Sequence, residues 1–232
     1  MQPYIFPYIG YFQLIKASDI FVFLDDVSFI KKGWIHRNRL YFNGAIHHFT
    51  IPIDNASQFK KINETLISEY EFKKWKYKFI ASIETFYKKQ PYFEEGMDIV
   101  TSILHSSFST ISEVSANSIT ACCDLFGIST SVKYSSQMGN SKELKKELRL
   151  IDICKQCECS FYINAVGGKD IYTSDMFFPH EITLEFITPN IAPYPVQGRS
   201  FVPSLSILDA IMCCGKDYIR DNLLSGYTVE EA

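Results

Sequence analysis

The chain has 232 residues, 47% of them hydrophobic and 15% aromatic, with 23 Lys and Arg against 26 Asp and Glu. That much apolar character excludes a disordered chain, and a formal net charge of -3 excludes a global attraction to nucleic acid or an anionic membrane, so any anion site has to be local. A single α/β domain over 1–232 is expected; no apolar run approaches the ~20 residues of a membrane helix and the opening is unlike a signal peptide, which predicts a soluble, cytoplasmic protein.

Met1-Gln2-Pro3-Tyr4-Ile5-Phe6-Pro7 reads as extended, because each proline forbids a helix interior and pushes the residue before it toward β geometry. Gly10 then permits a turn, and Phe12, Leu14 and Ile15 supply the apolar positions of a short helix. Strand, glycine turn and helix start can cradle a phosphate or carboxylate at Tyr8 to Tyr11 with Gln13 nearby; the same residues can equally be an aromatic element packed under a sheet.

Ile20 to Leu24 is a continuous apolar run, the mark of a strand buried on both faces of a parallel sheet, and it places Asp25 and Asp26 at the strand's carboxyl end, where open α/β sheets bind ligands. The run from Lys31 to Arg39 sets Lys31, Lys32, Arg37 and Arg39 around Trp34, with Asn38 among them. Planar guanidinium forks suit phosphate oxygens and the indole offers a stacking face, which together make a nucleotide-diphosphate loop. Arg39 to Ile53 predicts a hairpin turned by Asn43-Gly44, with His47 and His48 on opposite faces and therefore unable to share a metal.

Residues 60–127 read as a helical lobe or insertion. Its first helix, Ile62 to Lys89, carries the aromatic stripe Phe72, Trp75, Phe79, Ile83 and Phe86, and two more run from Glu94 to His105 and from Ile111 to Leu125, the last closed by Gly127. A strand over Ser129 to Ser136 is followed by a helix from Lys142 to Lys155, in which Lys142, Lys145 or Lys146, and Arg149 share a face. Phe161 to Asn164 is a short strand, and Gly167-Gly168 before Lys169 offers a second backbone cradle beside Asn164. A strand over Ile182 to Ile187, an irregular loop from Pro189 to Gly198 and a helix from Pro203 to Cys214, ended by Gly215, complete the pattern, with Tyr227 to Ala232 expected to be mobile. The seven cysteines, with two adjacent pairs, fit neither a disulfide framework nor a tetrahedral metal site; reduced thiols, no metal and no cofactor are expected.

The run from Met1 to Ile15 together with Asp25 to Arg39 resembles the WbqC-like family of bacterial surface-polysaccharide loci, and Arg149 to Cys154, Tyr162 to Gly168 and Phe201 to Asp209 are similar to it as well. The sequence opens on the Met-Gln-Pro of that motif, so a short first strand is expected. The resemblance implies O-antigen or lipopolysaccharide synthesis and a transferase that places an amino-acid or acyl group on an amino sugar. A second likeness joins Phe6 to Ile15 to the strand-to-helix signature of nucleotidyltransferases and class I synthetase-like folds, with Tyr8 and Tyr11 standing where that signature has histidines. Tyrosine can hydrogen-bond a phosphate but brings no cation to a transition state, so this likeness implies fold and ligand placement more than adenylyl transfer.

Taken together, these features predict an α/β fold with a largely parallel, Rossmann-like sheet, a hairpin excursion and a helical lobe. The expected function is amide formation on the amine of a nucleotide-linked amino sugar, by aminoacyl transfer, glycyl included, or by acyl transfer. The expected partners are that sugar and an activated donor, a charged tRNA being the one nucleic acid in keeping with the chemistry. Gln2, Tyr8, Gly10, Tyr11, Gln13, Lys31, Trp34, Arg37, Asn38, Arg39, Asn164, Gly167 and Gly168 are the expected substrate contacts. Asp25 or Asp26 is the expected general base, its pKa raised by lost solvation and opposed by the nearby cations. A non-catalytic protein that holds the nucleotide sugar or a biosynthetic partner is the alternative.

Overall fold

The computed structural model describes residues 1–139, 144 and 146–232. Seven helices and seven strands occur among them. In order they are α1 Ile9–Lys16, β1 Ile20–Phe23, β2 Arg37–Phe42, β3 Ala45–Thr50, α2 Glu69–Tyr87, α3 Phe93–His105, α4 Ile111–Phe126, β4 Ser131–Tyr134, α5 Lys146–Gln156, β5 Phe161–Ala165, α6 Ser174–Phe177, β6 Thr183–Pro189, α7 Ile207–Tyr218 and β7 Tyr227–Glu231.

The fold is mixed α/β, but the strands fall into three small sheets where one parallel sheet is expected. β1 pairs with β4 in parallel, β2 with β3 antiparallel, and β6 lies between β5, parallel to it, and β7, antiparallel. Asn43 and Gly44 turn the hairpin with φ of 47° and 80°, the left-handed pair that a two-residue turn demands.

Two hydrophobic clusters fill the interior. The larger joins α1, β1 and the hairpin to α2, α3, α4 and α7; residues expected to form a helical lobe contribute Phe79, Val100, Ile119 and Phe126 to it. The smaller gathers Leu150, Ile151 and Cys154 of α5 against Phe177, Leu184 and Phe186.

Three expected boundaries move. α2 starts at Glu69, because the chain before it is held by isolated bridges from Lys61 to Ser28, Ile67 to Ile53 and Leu66 to Thr110. Gly215 breaks α7 at φ 76°, as expected of a helix stop, yet helical turns resume beyond it. The expected mobile tail is instead β7, whose Thr228 and Val229 are good strand formers paired to Thr188 and Ile187. Of the expected cation stripe, Lys142 and Lys145 lie outside the described residues.

Candidate functional site

A pocket of about 530 Å³ opens where the amino-terminal segment, the loop before β2 and the ends of β5 and β6 meet, and its wall carries Gln2, Tyr8, Gly10, Tyr11, Trp34, Asn38 and Arg39. The glycine-containing segment and the basic loop thus face each other across one space, which the acidic pair does not line.

The tyrosine wall is built by mutual hydrogen bonding. Tyr11 Oη donates to Gln2 O at 3.0 Å, the Tyr8 amide donates to Tyr4 Oη at 3.2 Å, and the Tyr4 and Tyr11 rings meet edge to face at 5.3 Å. Burial raises the phenol pKa values of all three, so they are neutral hydrogen-bonding groups. Gly10 does not make the expected turn; it is the second residue of α1. A side chain there would meet the Tyr8 ring, which lies 2.6 Å from the position of its Cβ.

The opposite wall is cationic and aromatic. Trp34 is 44% exposed, with the Arg37 and Arg39 guanidinium carbons 5.5 and 5.7 Å from its ring centroid and His48 stacked on it at 5.7 Å. Arg39 Nε donates to Ser204 O at 2.9 Å, and Arg37 donates to Lys32 O at 2.5 Å, so both guanidinium groups are positioned by backbone carbonyls. Lys31 is exposed on the loop and lines none of this wall, and Arg37 reaches it only through the Trp34 ring, since of the two arginines Arg39 alone lines the pocket.

Two expected contacts have structural partners instead. Asn38 is buried, and its Nδ2 donates to Ile5 O at 3.0 Å and Phe6 O at 2.5 Å, so it clasps the amino-terminal segment while only its edge reaches the pocket. Gln13 is fully buried and its Nε2 donates to Leu223 O at 2.7 Å and Gly226 O at 3.0 Å, away from the pocket.

The acidic pair does not join the pocket either. Asp25 accepts from the Ser136 amide at 2.9 Å and its hydroxyl at 2.6 Å, and Asp26 accepts from Ser135 Oγ and from Arg149. Burial alone would raise the Asp26 pKa, as expected from a strand end, but the Ser135 hydroxyl and the Arg149 guanidinium outweigh it and hold the carboxyl below its ordinary value. The serines and the arginine that do this are more than 100 residues away, which hides them from a local reading.

Asn164, Gly167 and Gly168 line a second cleft, of about 630 Å³, which shares only a few residues, Met1 and Gln2 among them, with the first. Gly168 closes a short 3-10 turn instead of opening a helix, and a Cβ on it would strike the Asn164 amide at 2.4 Å. All seven cysteines are free, and burial pushes Cys123, Cys154 and Cys214 up to about 12, far from thiolate chemistry. Among the described residues no three His, Cys, Asp or Glu side chains converge on a common point, and no helix is long and apolar enough to cross a membrane. Tyr4, His48 and Ser204 are pocket-building residues that sequence reasoning missed. Tyr4 lay inside a motif already singled out, whereas Ser204 is 165 residues from the arginine it holds.

A family model described as the WbqC-like protein family matches residues 2–221. The chain is 27% identical over 224 residues to a protein of Mycobacterium tuberculosis described as "Uncharacterized protein Rv1507c", covering 92% of this chain and 93% of that one. No solved structure matches.

Proposed function

We propose, for a chain that belongs to the WbqC-like protein family, that the aromatic pocket binds a nucleotide-linked amino sugar as acceptor for an amide-forming aminoacyl or acyl transfer in cytoplasmic surface-polysaccharide synthesis. The observation that carries this reading is Trp34, 44% exposed, with two guanidinium carbons 5.5 and 5.7 Å from its ring centroid. An indole face is worth about 1–3 kcal/mol to a stacked base, and paired arginines suit a diphosphate. The tyrosine wall supplies neutral hydroxyls for the sugar. In the transfer, the sugar nitrogen forms a bond to the donor's acyl carbon, the donor's ester or thioester bond breaks, and the amine's proton leaves with the departing group.

A second reading is favoured by one feature of the same wall. Among the described residues that line the pocket there is no Asp, Glu or His to take that proton, His48 being stacked on Trp34 without lining the space, and Asp25 and Asp26 are bonded to Ser135, Ser136 and Arg149. A protein that only holds the nucleotide sugar needs no such group.

Thermal shift and calorimetry with a uridine diphosphate amino sugar, uridine diphosphate and the free amino sugar test the pocket. The expected result is tightest binding to the whole nucleotide sugar and a loss of about tenfold in affinity for Trp34→Ala. Unchanged binding by that variant would remove the pocket from consideration. Product formation with an activated donor then separates transfer from holding.

A further inference from the structure

Lys31 and Lys32, which the pocket leaves out, belong to a separate arrangement at its rim. A large apolar residue followed by two lysines occurs at Ile30-Lys31-Lys32 and again at Phe59-Lys60-Lys61. From Val27 to Asn63 there are six Lys and Arg and one acidic residue, Asp54, in a chain where acids outnumber these cations 26 to 23. Glu64, the next acid, is turned back to accept from the Lys61 amide at 3.1 Å.

The fold brings the two motifs together. Ser28 forms an isolated antiparallel bridge with Lys61, and the Phe29 amide donates to Lys60 O at 2.8 Å, a register that sets Ile30 across from Phe59. Each segment runs through a tight turn. The Gly33 amide donates to Ile30 O at 2.9 Å, which leaves Lys31 and Lys32 at one tip. The Lys60 amide donates to Ser57 O at 3.2 Å and the Phe59 amide to Ser57 Oγ at 3.2 Å, which fixes Phe59 at the other.

Phe59 is 90% exposed, the most of any large hydrophobic residue among those described, and Ile30 is 50% exposed. Ile30 and the half-exposed Trp34 also line the aromatic pocket, so the patch is continuous with it. Among the described residues, Lys31, Lys32, Lys60 and Lys61 make no ion pair with a carboxylate. Apolar side chains held in water inside a ring of uncompensated lysines match the two layers of an anionic bilayer surface, phosphates outside and the acyl boundary beneath. A nucleic acid would match the lysines and the phenyl ring but has no use for the aliphatic Ile30.

We propose that these two turns dock the protein reversibly on an anionic bilayer. Phe59 and Ile30 enter the boundary between headgroups and acyl chains, while the four lysines stay at the level of the lipid phosphates, their stems lying along the apolar layer. A lysine at such a surface is worth about fivefold in partitioning, and the inserted ring adds the second signal that stable attachment requires. Docking in this way sets the aromatic pocket beside the membrane surface, because Ile30 and Trp34 belong to both. The inference stands on the patch alone and holds whatever ligand the pocket takes.

Co-sedimentation of the full chain with vesicles tests this. Vesicles of phosphatidylglycerol and phosphatidylcholine in equal parts are expected to bind it at least tenfold more tightly than phosphatidylcholine alone at about 0.1 M salt, and to lose most of that at about 0.5 M. Lys31→Ala with Lys32→Ala, Lys60→Ala with Lys61→Ala, and Phe59→Ser should each weaken binding about tenfold. Lys73→Ala with Lys78→Ala, which removes the same charge from exposed positions on α2, should weaken it less than about twofold. Equal loss in that control pair, or no preference for anionic vesicles, overturns the proposal. Phe59→Trp gives a readout that needs none of the lysine variants to fold: its added fluorescence, over that of Trp34 and Trp75, should shift to the blue on vesicles and be quenched by lipids brominated on their acyl chains. Absence of quenching overturns insertion, and lysine-dependent binding of a single-stranded RNA without vesicle binding assigns the patch to nucleic acid instead.

Discussion

Phe6 is fully buried with φ 42°, a left-handed conformation that a bulky residue adopts only under constraint and at a cost of about 1–2 kcal/mol. The constraint is visible: Asn38 Nδ2 and Ser206 Oγ both donate to Phe6 O, and Ser118 Oγ accepts from its amide. Asn38 is therefore a stability residue. Asn38→Ala is expected to lower unfolding free energy by about 2–4 kcal/mol in urea, and the isosteric Asn38→Asp, which cannot donate, by a similar amount. Wild-type stability in both would leave Asn38 as a ligand group alone. Asp26 makes a second residue-scale case. Its folded pKa is depressed, so its contribution is fully present above the unfolded value near ~3.9 and is lost as pH falls through the folded value. Asp26→Asn leaves the Arg149 guanidinium, itself mostly buried, without its carboxylate, and is expected to cost about 3 kcal/mol at pH 7. Unfolding at pH 7, 5 and 3 should show wild type and variant converging at the acid end; a constant gap would contradict the assignment. At this scale sequence reading found residue types suited to ligands, but the backbone partners of Asn38 and Gln13 were not legible, because a buried amide that staples backbone looks, in one dimension, like an amide that meets a substrate.

The elements with local signatures were legible. Asn43-Gly44 predicts the hairpin, and Gly127, at φ 70°, ends α4 as a left-handed cap should. What was not legible was decided by partners far along the chain: the residues before α2 are drawn into bridges with Ser28, Ile53 and Thr110, and the tail gains order from β6. Gly215 shows both influences at once. Its positive φ needs glycine, and the Tyr92 ring stands 2.6 Å from where a Cβ would be, whereas Gly198, with φ 78°, has open space around it. Gly215→Ala should therefore cost roughly 2–3 kcal/mol, from backbone strain and overpacking together, and Gly198→Ala only about 1. Equal losses, measured by urea unfolding, would mean that the Tyr92 contact does not matter.

For the molecule as a whole, Gln13 links the first helix to the last turns by bonds that span 210 and 213 residues. Gln13→Ala should speed amide exchange in β7 and β6 more than in β2 and β3, because only the former are tied through Leu223 and Gly226; uniform change across all four strands would argue against this link. The overall α/β class was readable from alternating patterns, but the division into three sheets was not, since no local signal says which strand edges meet. One consequence follows from the clasp on Phe6, whose partners lie 32, 112 and 200 residues away. During synthesis from the amino terminus, the Phe6 bend between the pocket residues Tyr4 and Tyr8 lacks its full set of partners until Ser206 has left the ribosome. The segment that opens the chain is thus among the last to reach its final shape, and nascent chains stopped before Ser206 should be unable to hold a nucleotide sugar even though the pocket residues from Met1 to Arg39 have long been made.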